Sequence, residues 1–298
     1  MGVEPDLFAL RALLWVAASG SLNTAAKKLG VSQQAISVRL RKLEKSLQVA
    51  LLDRSPRGSV LTSDGEIVCT WAQNLLDSVE SFTNAVGSLQ AEHGDQLRVA
   101  ASLTIAEHLL PNWLTRWRCG WGNDELKVHF IAANTRDVIT EVKSGRVDLG
   151  FIESFNVPPN FGSRTVGQDE ILVVAPPSHP WSKAGKISLT EVSRTALVLR
   201  ESGSGTRQAF EDALGKAGFH LTIPPAAVLT TTLGLRNTIA VGNSPGVLSS
   251  LAVQEDLAKG RLVQVDITGF QILRPLTAIW QGERPTKLAR DLLNQILT

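Results

Sequence analysis

Hydrophobic residues at the start of the chain recur every three or four positions, which is the period of an α-helix. The stripe over residues 7–18 predicts a first helix, and Gly20 is expected to end it. Either Ser21 or Asn23 can cap the short second helix that the next apolar positions predict. Gly30 then predicts a tight turn. The first fifty residues therefore favour short helices around one small core, with a turn before the third helix.

The third predicted helix, over residues 33 to about 46, has one apolar face and one polar face. Ser32 can cap it. The polar face carries amides, a hydroxyl and cations, which are the groups that pair with base edges and phosphates in a DNA groove. An ordinary solvated helix face would look the same, so this face alone does not decide between the two. The candidate DNA contacts in this region are Asn23, Ser32, Gln33, Gln34, Ser37, Arg39, Arg41 and Lys42.

Two short apolar runs after the third helix predict a β-hairpin with strands at residues 49–52 and 59–61. The connecting segment carries Arg54 and Arg57 near its tip. Two arginines at a hairpin tip suit a wing that contacts the DNA backbone or the neighbouring groove. Helix, turn, helix and wing together predict a DNA-binding unit.

A long helix is predicted after the hairpin, from a cap at Thr62 and Ser63 to about residue 91. Residues 92–95 look like its end and a hinge. Apolar residues along the helix follow one another at steps of four and three, the spacing of a coiled-coil seam, which favours pairing with a second copy of the chain. The alternative is that the helix buries this stripe against its own C-terminal body. The seam residues are Ile67, Trp71, Leu75, Val79, Phe82, Val86 and Leu89.

Charge is distributed unevenly along the chain. Residues 1–62 hold nine basic and four acidic side chains, a net charge of +5. Since the whole chain of 298 residues carries +2, the remaining 236 residues carry −3. A small basic unit joined to a larger, slightly acidic body is typical of a protein whose head binds a polyanion such as DNA.

The composition, with 43% hydrophobic and 19% charged residues, is that of a globular protein and favours two or three compact domains. It excludes a mainly disordered or membrane-spanning chain, because no run of about 18 apolar residues occurs. The first residues, MGVEPDLF, lack the basic segment and apolar run of a secretion signal, so we expect a cytoplasmic protein. Cys69 and Cys119 are expected to be unpaired thiols.

Residues 24–66 resemble the winged helix-turn-helix of the LysR-type transcriptional regulators in order, spacing and character; they read TAAKKLGVSQQAISVRLRKLEKSLQVALLDRSPRGSVLTSDGE. The resemblance extends along the whole chain in length and domain order. It implies that the long helix pairs two subunits. It also implies that the start of the third helix and the wing contact DNA, which assigns these roles to Ser32, Gln33, Gln34, Ser37, Arg54 and Arg57.

Three positions depart from the family pattern. Gln34 stands where many members have proline, Val38 where many have arginine, and Gln48 where glycine is usual. We therefore expect a different base preference, and we assign no arginine-to-base contact to position 38.

From residue 96 onward, short apolar strands alternate with amphipathic helices. Such alternation predicts a mainly parallel sheet with helices on both faces. The end of the chain, PLTAIW followed by a helix from about Pro285, resembles the return of the family's chain to the first lobe. Two α/β lobes joined by two crossing strands make a clamshell, and the crossings are expected near Val166 and Ile267.

The predicted fold class is α+β overall. It combines an N-terminal winged helix-turn-helix, a long linker helix and a C-terminal two-lobed α/β effector domain that resembles the type 2 periplasmic binding proteins. The predicted limits are residues 1–62 for the DNA-binding domain, 63–94 for the linker and hinge, 95–298 for the effector domain, about 95–166 with 268–298 for lobe I, and about 167–267 for lobe II.

Three polar clusters stand where strands of the C-terminal body end and helices begin. Hydroxyls and free amides at helix N-termini favour an anion, such as a carboxylate or an oxyanion, although each cluster alone could be a helix cap only. The segments ASLTIAEHLLP and RESGSGTRQAFE also resemble pocket segments of LysR-type regulators. Glu153 and Arg207 are further candidates that could instead pair with structural partners. The candidate ligand contacts are Ser102, Thr104, Asn134, Thr135, Ser202, Ser204 and Thr206.

The sequence offers little support for catalysis. The five histidines show no pair at helical spacing, and the run SGSGTR lacks the lysine and the spacing of a nucleotide-binding loop. We therefore expect no enzyme, no metal and no cofactor, but a small-molecule effector, preferably an anion or a carboxylate.

The expected function is a ligand-responsive, sequence-specific DNA-binding transcriptional regulator, in which an effector between the lobes alters the DNA-binding geometry of the oligomer. The expected partners are double-stranded promoter DNA and further copies of the chain, in a dimer through residues 63–91 and a tetramer. RNA polymerase is a candidate partner, and no membrane is expected. The alternatives are a clamshell enzyme or solute-binding protein with an accessory basic domain, and an architectural DNA-binding protein with a plugged crevice.

Overall fold

A computed structural model describes residues 5–55, 58–91, 96–121, 126–154 and 156–297. The chain forms two compact units, Met1–Ala85 and Val86–Thr298. In the described part, no helix is at once long enough and apolar enough to cross a membrane.

The N-terminal unit consists of helices and a β-hairpin. Its elements are α1 (Leu7–Ser19), α2 (Leu22–Leu29), α3 (Gln33–Leu47), β1 (Leu52–Ser55), β2 (Gly58–Leu61) and α4 (Ser63–Ala91), which extends into the second unit. Asp6 begins α1, because its Oδ1 accepts hydrogen bonds from the amides of Phe8 and Ala9 at 2.9 and 3.3 Å. Gly20 ends α1 in the left-handed conformation, with a φ of 63°. The predicted first helix is confirmed.

Serine side chains begin the next two helices. The Oγ of Ser21 accepts a hydrogen bond from the amide of Thr24 at 3.2 Å, so Ser21 caps α2, and Asn23 lies inside that helix. The Oγ of Ser32 accepts a hydrogen bond from the amide of Ala35 at 3.2 Å, so the predicted cap of α3 is confirmed.

The core of the N-terminal unit joins the apolar stripes of the first three helices. Leu13 of α1 and both Ile36 and Leu40 of α3 are fully buried in it. Ala25 and Ala26 of α2 are buried as well, and their small side chains let the neighbouring helices approach closely. The opposite side of α3 is therefore left facing solvent.

The hairpin strand β1 begins at Leu52, so the strand predicted for residues 49–51 is wrong. Oε1 of Glu44, on α3, accepts hydrogen bonds from the amides of Leu51 and Leu52 at 3.0 and 3.2 Å. These amides are satisfied by a carboxylate of the preceding helix, and the apolar side chain of Leu51 is buried in the helical core. The apolar residues before Leu52 therefore pack in the helical core and do not pair with β2.

The described part of the C-terminal unit contains a nine-stranded sheet and a small two-stranded sheet. Their strands are β3 (Gln96–Ser102), β4 (Lys127–Ala133), β5 (Leu149–Ile152), β6 (Phe161–Ala175), β7 (Lys186–Ile187), β8 (Val198–Arg200), β9 (Ala227–Leu229), β10 (Gly246–Ser249), β11 (Val263–Gln264), β12 (Asp266–Ile267) and β13 (Ile272–Gln281). The large sheet has the order β4-β3-β5-β13-β6-β10-β8-β9, with β11 paired to β6, and β12 and β7 form the small sheet. β3 runs parallel to β4 and β5, and β8 runs parallel to β9 and β10. β6 and β13 are antiparallel to their neighbours in this sheet.

Helices pack on both faces of the sheet, as predicted. They are α5 (Leu103–His108), α6 (Leu110–Trp121), α7 (Thr135–Lys143), α8 (Leu189–Ser193), α9 (Gly205–Lys216), α10 (Thr232–Val241), α11 (Ser250–Ala258) and α12 (Lys287–Ile296). Val99 packs with Leu292 of α12 on one face, whereas the next residue, Ala100, packs with Val138 of α7 on the other. Two separate helices, α5 and α6, follow β3, because Pro111, the second residue of α6, lacks the amide hydrogen that would continue α5.

Two long strands, β6 and β13, connect the lobes. They pair from Phe161 opposite Gln281 to Ile171 opposite Ile272, and Val166 is the extra residue of a β-bulge in this ladder. Ile267 belongs to β12 and pairs with β7, so the second connecting strand begins further along than the predicted crossing. The limits predicted for the linker and the lobes stay predictions, because the sheet continues through both lobes.

Candidate functional site

The solvent face of α3 presents a row of polar side chains. Gln33, Ser37 and Arg41 follow one another at four-residue spacing, which places them on one side of the helix. Gln33 and Arg41 are exposed and Ser37 is half-buried, while Gln34 and Lys42 are exposed beside the row. The buried face of α3 fixes this orientation, so the helix can present amide, hydroxyl and guanidinium groups to a partner.

Arg39 occupies a different environment from the rest of the predicted DNA contacts. Its Nη1 forms an ion pair with Oδ2 of Asp6 at 3.1 Å, and its guanidinium lies 4.5 Å from the ring centre of Phe8. The structure therefore places Arg39 against the start of α1, where it ties α3 to that helix.

The remaining predicted DNA contacts, Ser32, Asn23, Arg54 and Arg57, are not part of the polar row on α3. Ser32 is exposed, and its hydroxyl is used as the cap of α3. Asn23 is exposed on α2. The backbone of Arg54 lies in β1, and Arg57 falls outside the described residues. The structure thus groups Gln33, Gln34, Ser37, Arg41 and Lys42 on one helix face.

Helix α4 carries two apolar faces. Ala72 and Leu76, which are 3% and 9% exposed, pack on the core of the first three helices. The other face keeps its large side chains in solvent, with Trp71 65% exposed and Phe82 70% exposed. Ile67, Leu75 and Val86 on the same face are also exposed, Val79 is half-buried, and the side chain of Leu89 is not among those described. The predicted seam is thus an apolar stripe that the described part of the chain leaves largely exposed.

Cys69 and Cys119 are free thiols, as predicted. Burial, together with the nearby Glu66 carboxylate, raises the pKa of the Cys69 thiol. A raised pKa keeps the thiol protonated, so Cys69 acts as a small packing residue of α4.

Helix N-termini from both lobes converge in the crevice of the C-terminal unit. α5 and α7 begin after β3 and β4 in lobe I, and α9 and α11 begin after β8 and β10 in lobe II. Their first turns bring the predicted ligand contacts to the carboxyl ends of the parallel strands, where ligands of α/β sheets bind.

Arg274, on β13, lies in the middle of this crevice and is 0% exposed. Its Nη1 donates to Oε2 of Glu153 at 2.7 Å, and its Nη2 and Nε donate to Oδ2 of Asp169 at 2.6 and 2.8 Å. Nη1 also donates to the hydroxyl of Thr206 at 3.2 Å, and Nη2 to that of Thr104 at 3.4 Å. We name Arg274, Glu153 and Asp169 the crevice cluster. It ties elements of both lobes together.

Two serine hydroxyls complete the crevice cluster. Ser102 donates to Oε1 of Glu153 at 2.8 Å, and Ser249 donates to Oδ1 of Asp169 at 2.8 Å. Each carboxylate therefore accepts hydrogen bonds from the guanidinium and from the start of a helix, which offsets the cost of burying it.

Three predicted ligand contacts are engaged by the protein itself. Ser102, Thr104 and Thr206 are each only 2 to 3% exposed, and all three bond to the crevice cluster. The sequence pattern predicted that these residues lie in the crevice, but it did not identify Arg274 and Asp169 as part of the same cluster. The sequence carried two signals for them: a charged residue inside the apolar run ILRPLTAIW, and two acidic residues at the start of DEILVVA.

A groove of about 390 Å³ lies beside the crevice cluster, between α7 of lobe I and α9 of lobe II. We name it the α7–α9 groove. Thr135, Arg136 and Lys143 line one wall, and Gly205 and Gln208 line the other. Four of the seven predicted ligand contacts stand in or next to this groove: Asn134, Thr135, Ser202 and Ser204.

The start of α7 leaves polar groups for a ligand. Asn134 caps the helix by accepting a hydrogen bond from the amide of Asp137 at 2.9 Å. Thr135 is 8% exposed, and its Oγ1 is a buried polar atom without a hydrogen-bond partner among the described residues. Arg136 reaches across to the other lobe, where its Nη2 donates to Oγ of Ser202 at 3.3 Å and its amide donates to the carbonyl oxygen of Gly203 at 3.3 Å.

The start of α9 approaches α7 closely. Ser204 precedes α9, and its side chain makes no capping hydrogen bond. A Cβ on Gly205 would lie 2.6 Å from Oγ1 of Thr135 and 2.8 Å from the carbonyl oxygen of Glu153. Only glycine lets the start of α9 approach Thr135 and Glu153 this closely.

The further candidate Arg207 has structural partners. Its Nε donates to Oε1 of Glu211 at 2.7 Å, and its Nη1 donates to the carbonyl oxygen of Arg200 at 3.2 Å. These bonds hold the first turns of α9 against the end of β8. Glu153, the other further candidate, belongs to the crevice cluster.

The described residues contain no group of three or more histidine, cysteine, aspartate or glutamate side chains placed to hold a metal ion. His108, on α5, is half-buried, and burial lowers the pKa of its imidazole. His93 falls outside the described residues.

Family models match both parts of the chain. The model of the bacterial regulatory helix-turn-helix protein, lysR family, matches residues 7–66, and the model of the LysR substrate binding domain matches residues 90–298. An uncharacterised HTH-type transcriptional regulator of Mycobacterium tuberculosis is 39% identical over 302 residues, which cover 98% of this chain and 96% of that protein.

Solved structures share the fold. Full-length CbnR in complex with its target DNA has a TM-score of 0.52 and 22% identity, and covers 98% of this chain and 100% of that chain. The regulatory domain of Synechocystis CcmR, in complex with 2-PG, has a TM-score of 0.61 and 20% identity, and covers 68% of this chain and 95% of that chain. The predicted fold class is confirmed.

Proposed function

The chain belongs to the LysR family of bacterial transcriptional regulators, and from that premise we propose how it reads DNA, assembles and senses its ligand. It is a ligand-responsive, DNA-binding regulator. The exposed polar row of α3 carries the proposal for DNA, because Gln33, Ser37 and Arg41 face one way above a fully buried apolar face. Amide and hydroxyl groups on such a row pair with base edges, and Arg41 and Lys42 pair with phosphates or guanine.

Two copies of the chain are proposed to pair through α4. Its 29 residues make a helix about 43 Å long, at 1.5 Å per residue. The apolar stripe that includes Trp71 and Phe82 is exposed in the single chain, and pairing with the same stripe of a second α4 would bury it. Paired N-terminal units then address two half-sites on one promoter duplex, and two such dimers make the proposed tetramer.

The ligand of the C-terminal unit is proposed to be a small organic anion that binds where the lobes meet. Helix N-termini from both lobes converge there, and such termini favour negative charge. CcmR, a protein of the same fold, was solved with the small ligand 2-PG on its regulatory domain. A ligand that contacts both lobes shifts the spacing of the lobes, and through it the geometry of the paired DNA-binding units.

Further partners and the setting follow from this role. The chain is proposed to act on promoter DNA in the bacterial cytoplasm, and RNA polymerase is a proposed partner at the promoter. CbnR, which shares the fold, was solved on its target DNA. We propose no catalytic activity, because the family models and relatives describe regulators.

The joint substitution Gln33→Ala with Ser37→Ala is expected to lower the preference for the operator over random DNA by about 10-fold to 100-fold. Affinity for random DNA should stay nearly constant, because neither side chain is charged. Arg41→Ala should weaken binding to all sequences and reduce the salt slope by about one. Fluorescence anisotropy titrations at several salt concentrations measure both quantities.

Ser46→Ala is the matched control for this experiment. Ser46 is uncharged and exposed on the last turn of α3, and it does not continue the four-residue spacing of the polar row, so its loss should leave the preference unchanged. An unchanged operator preference in the double variant would show that α3 is not the reading helix.

A further inference from the structure

We propose that Arg39, on α3, is a positioning residue that sets the operator preference of this chain without touching DNA. It acts through Asp6 and Phe8 at the start of α1, so an acidic side chain outside the reading helix determines how that helix meets the bases. This inference rests on the proposed function, because it specifies what orients the polar row of α3.

Arg39 points away from the polar row. It is two residues from Ser37 and two residues from Arg41 along α3. Successive residues of an α-helix are about 100° apart, so Arg39 lies about 200° around the helix axis from both. When the polar row faces a DNA groove, Arg39 therefore leaves α3 on the opposite side and does not belong with the groups that read bases.

A single carboxylate joins the start of α1 to α3. Oδ1 of Asp6 accepts hydrogen bonds from the amides of Phe8 and Ala9 at 2.9 and 3.3 Å, and these bonds hold the carboxylate at the N-terminus of α1. Oδ2 of the same carboxylate accepts a hydrogen bond from Nη1 of Arg39 at 3.1 Å. Since the cap holds the carboxylate in place, the ion pair fixes Arg39 relative to the backbone of α1.

Aromatic rings on α1 hold one cation from α2 and one from α3. The guanidinium of Arg39 lies 4.5 Å from the ring centre of Phe8, and the ammonium of Lys28, on α2, lies 5.5 Å from that of Trp15. Phe8 and Trp15 are seven residues apart, which puts them on the same side of α1. α1 is thus the frame on which the other two helices are aligned.

We name Asp6, Phe8 and Arg39 the α1–α3 clamp, and this clamp affects orientation more than stability. The side chains of Asp6 and Arg39 are each 48% exposed, and exposed ion pairs contribute little to the free energy of unfolding. Ile36 and Leu40, which are fully buried, hold α3 in the unit without the clamp.

Base readout depends on orientation more strongly than phosphate binding does. Groups that read bases have to be held within about 0.5 Å and about 15° of the productive geometry. Long basic side chains reach phosphates over a wider range of helix positions, and these contacts carry no sequence information. Loss of the α1–α3 clamp should therefore lower selectivity and leave general affinity for DNA nearly constant.

Arg39→Gln and Asp6→Asn are each expected to lower the preference for the operator over random DNA by about 5-fold, with an unchanged salt slope. Asparagine keeps the cap of α1, because its side-chain oxygen accepts the same amide hydrogen bonds, so Asp6→Asn removes only the charge. The double variant should lose no more preference than Arg39→Gln alone, because both substitutions break the same pair.

Fluorescence anisotropy titrations of the full chain at several salt concentrations measure the preference and the salt slope. The operator is the duplex that the unsubstituted chain enriches from a random-sequence pool. Thermal midpoints of the variants should stay within about 3 °C of the unsubstituted chain, because the pair is exposed.

Asp64→Asn is the matched control for Asp6→Asn. Asp64 is exposed in the first turn of α4 and has no hydrogen bond or ion pair among the described residues. Its replacement removes the same charge from the N-terminal unit, so it should change the affinities for operator and random DNA equally and leave the preference unchanged.

A salt slope that falls by about one in Arg39→Gln would show that Arg39 contacts a phosphate, and would overturn the inference. An operator preference that survives in Asp6→Asn would overturn it too. The same holds for single losses that add up in the double variant, and for a thermal midpoint lowered beyond the expected range.

The same titrations separate this inference from the proposed function. If the Gln33 and Ser37 double variant loses the preference but Arg39→Gln and Asp6→Asn keep it, α3 still reads the operator and only the positioning role is wrong. If the unsubstituted chain enriches no duplex from the pool, the proposed function fails as well.

Discussion

Replacing Arg274 by methionine is expected to lower the thermal midpoint of the C-terminal unit by about 10 °C. The substitution leaves the carboxylates of Glu153 and Asp169, which are both 3% exposed, without their positive partner. Removing one member of a buried ion pair costs about 3 to 5 kcal/mol, because the charge that stays behind is not compensated. A domain of this size loses roughly 2 to 4 °C per kcal/mol. Differential scanning calorimetry of the full chain measures the shift.

Arg146→Met is the matched control for Arg274→Met. Arg146 pairs with Glu141 at 2.9 Å, but its side chain is 43% exposed, and pairs of this kind contribute at most about 1 kcal/mol. The thermal midpoint of Arg274→Lys should lie between those of the two methionine variants, because an ammonium keeps the charge but loses the guanidinium fork that contacts both carboxylates. Equal midpoints for Arg274→Met and Arg146→Met would mean that the crevice cluster does not lock the lobes.

Local signals in the sequence were sufficient for the helix ends of the N-terminal unit. Gly20 and Ser32 act within one helical turn, so their roles as a helix end and a cap could be predicted without knowledge of the fold. The start of β1 could not, because Oε1 of Glu44 takes the amides of Leu51 and Leu52 from seven and eight residues away. Arg39 likewise looks like its neighbours on α3, and only the fold brings it to Asp6, 33 residues earlier.

In the crevice, too, local sequence signals did not predict contacts between residues that are far apart along the chain. Its polar residues were predicted correctly as groups at strand ends, since strand and helix periodicity gives their places. Their partners were not predicted, because Arg274 is 170 residues from Thr104 and 121 from Glu153 along the chain. A helix N-terminus that binds a ligand and one that binds a buried carboxylate use the same residue types. Only the three-dimensional structure shows whether the polar groups of such a site are free for a ligand or already bound to other side chains of the protein.

The substitution Trp71→Glu is expected to separate the dimer and to lower operator affinity by about 100-fold. Trp71 is 65% exposed in the single chain, so glutamate at this position should leave the fold of the monomer intact. In a paired α4 seam, each substitution occurs twice, and the two carboxylates would have to lose water next to apolar partners. A monomer contacts one half-site only, so the gain in affinity from joining two DNA-binding units is lost.

Sedimentation velocity and operator titrations test the Trp71→Glu variant against Thr70→Glu. Thr70 is the preceding residue on α4, is exposed and lies off the apolar stripe, so it receives the same charge without entering the seam. The control should remain a dimer or tetramer with unchanged operator affinity. Because Trp71 is largely exposed in the single chain and Thr70→Glu adds the same charge, a lower operator affinity in Trp71→Glu alone is expected to result from lost pairing. A Trp71→Glu variant that still sediments with the control would show that the stripe on α4 is not the surface that joins the subunits.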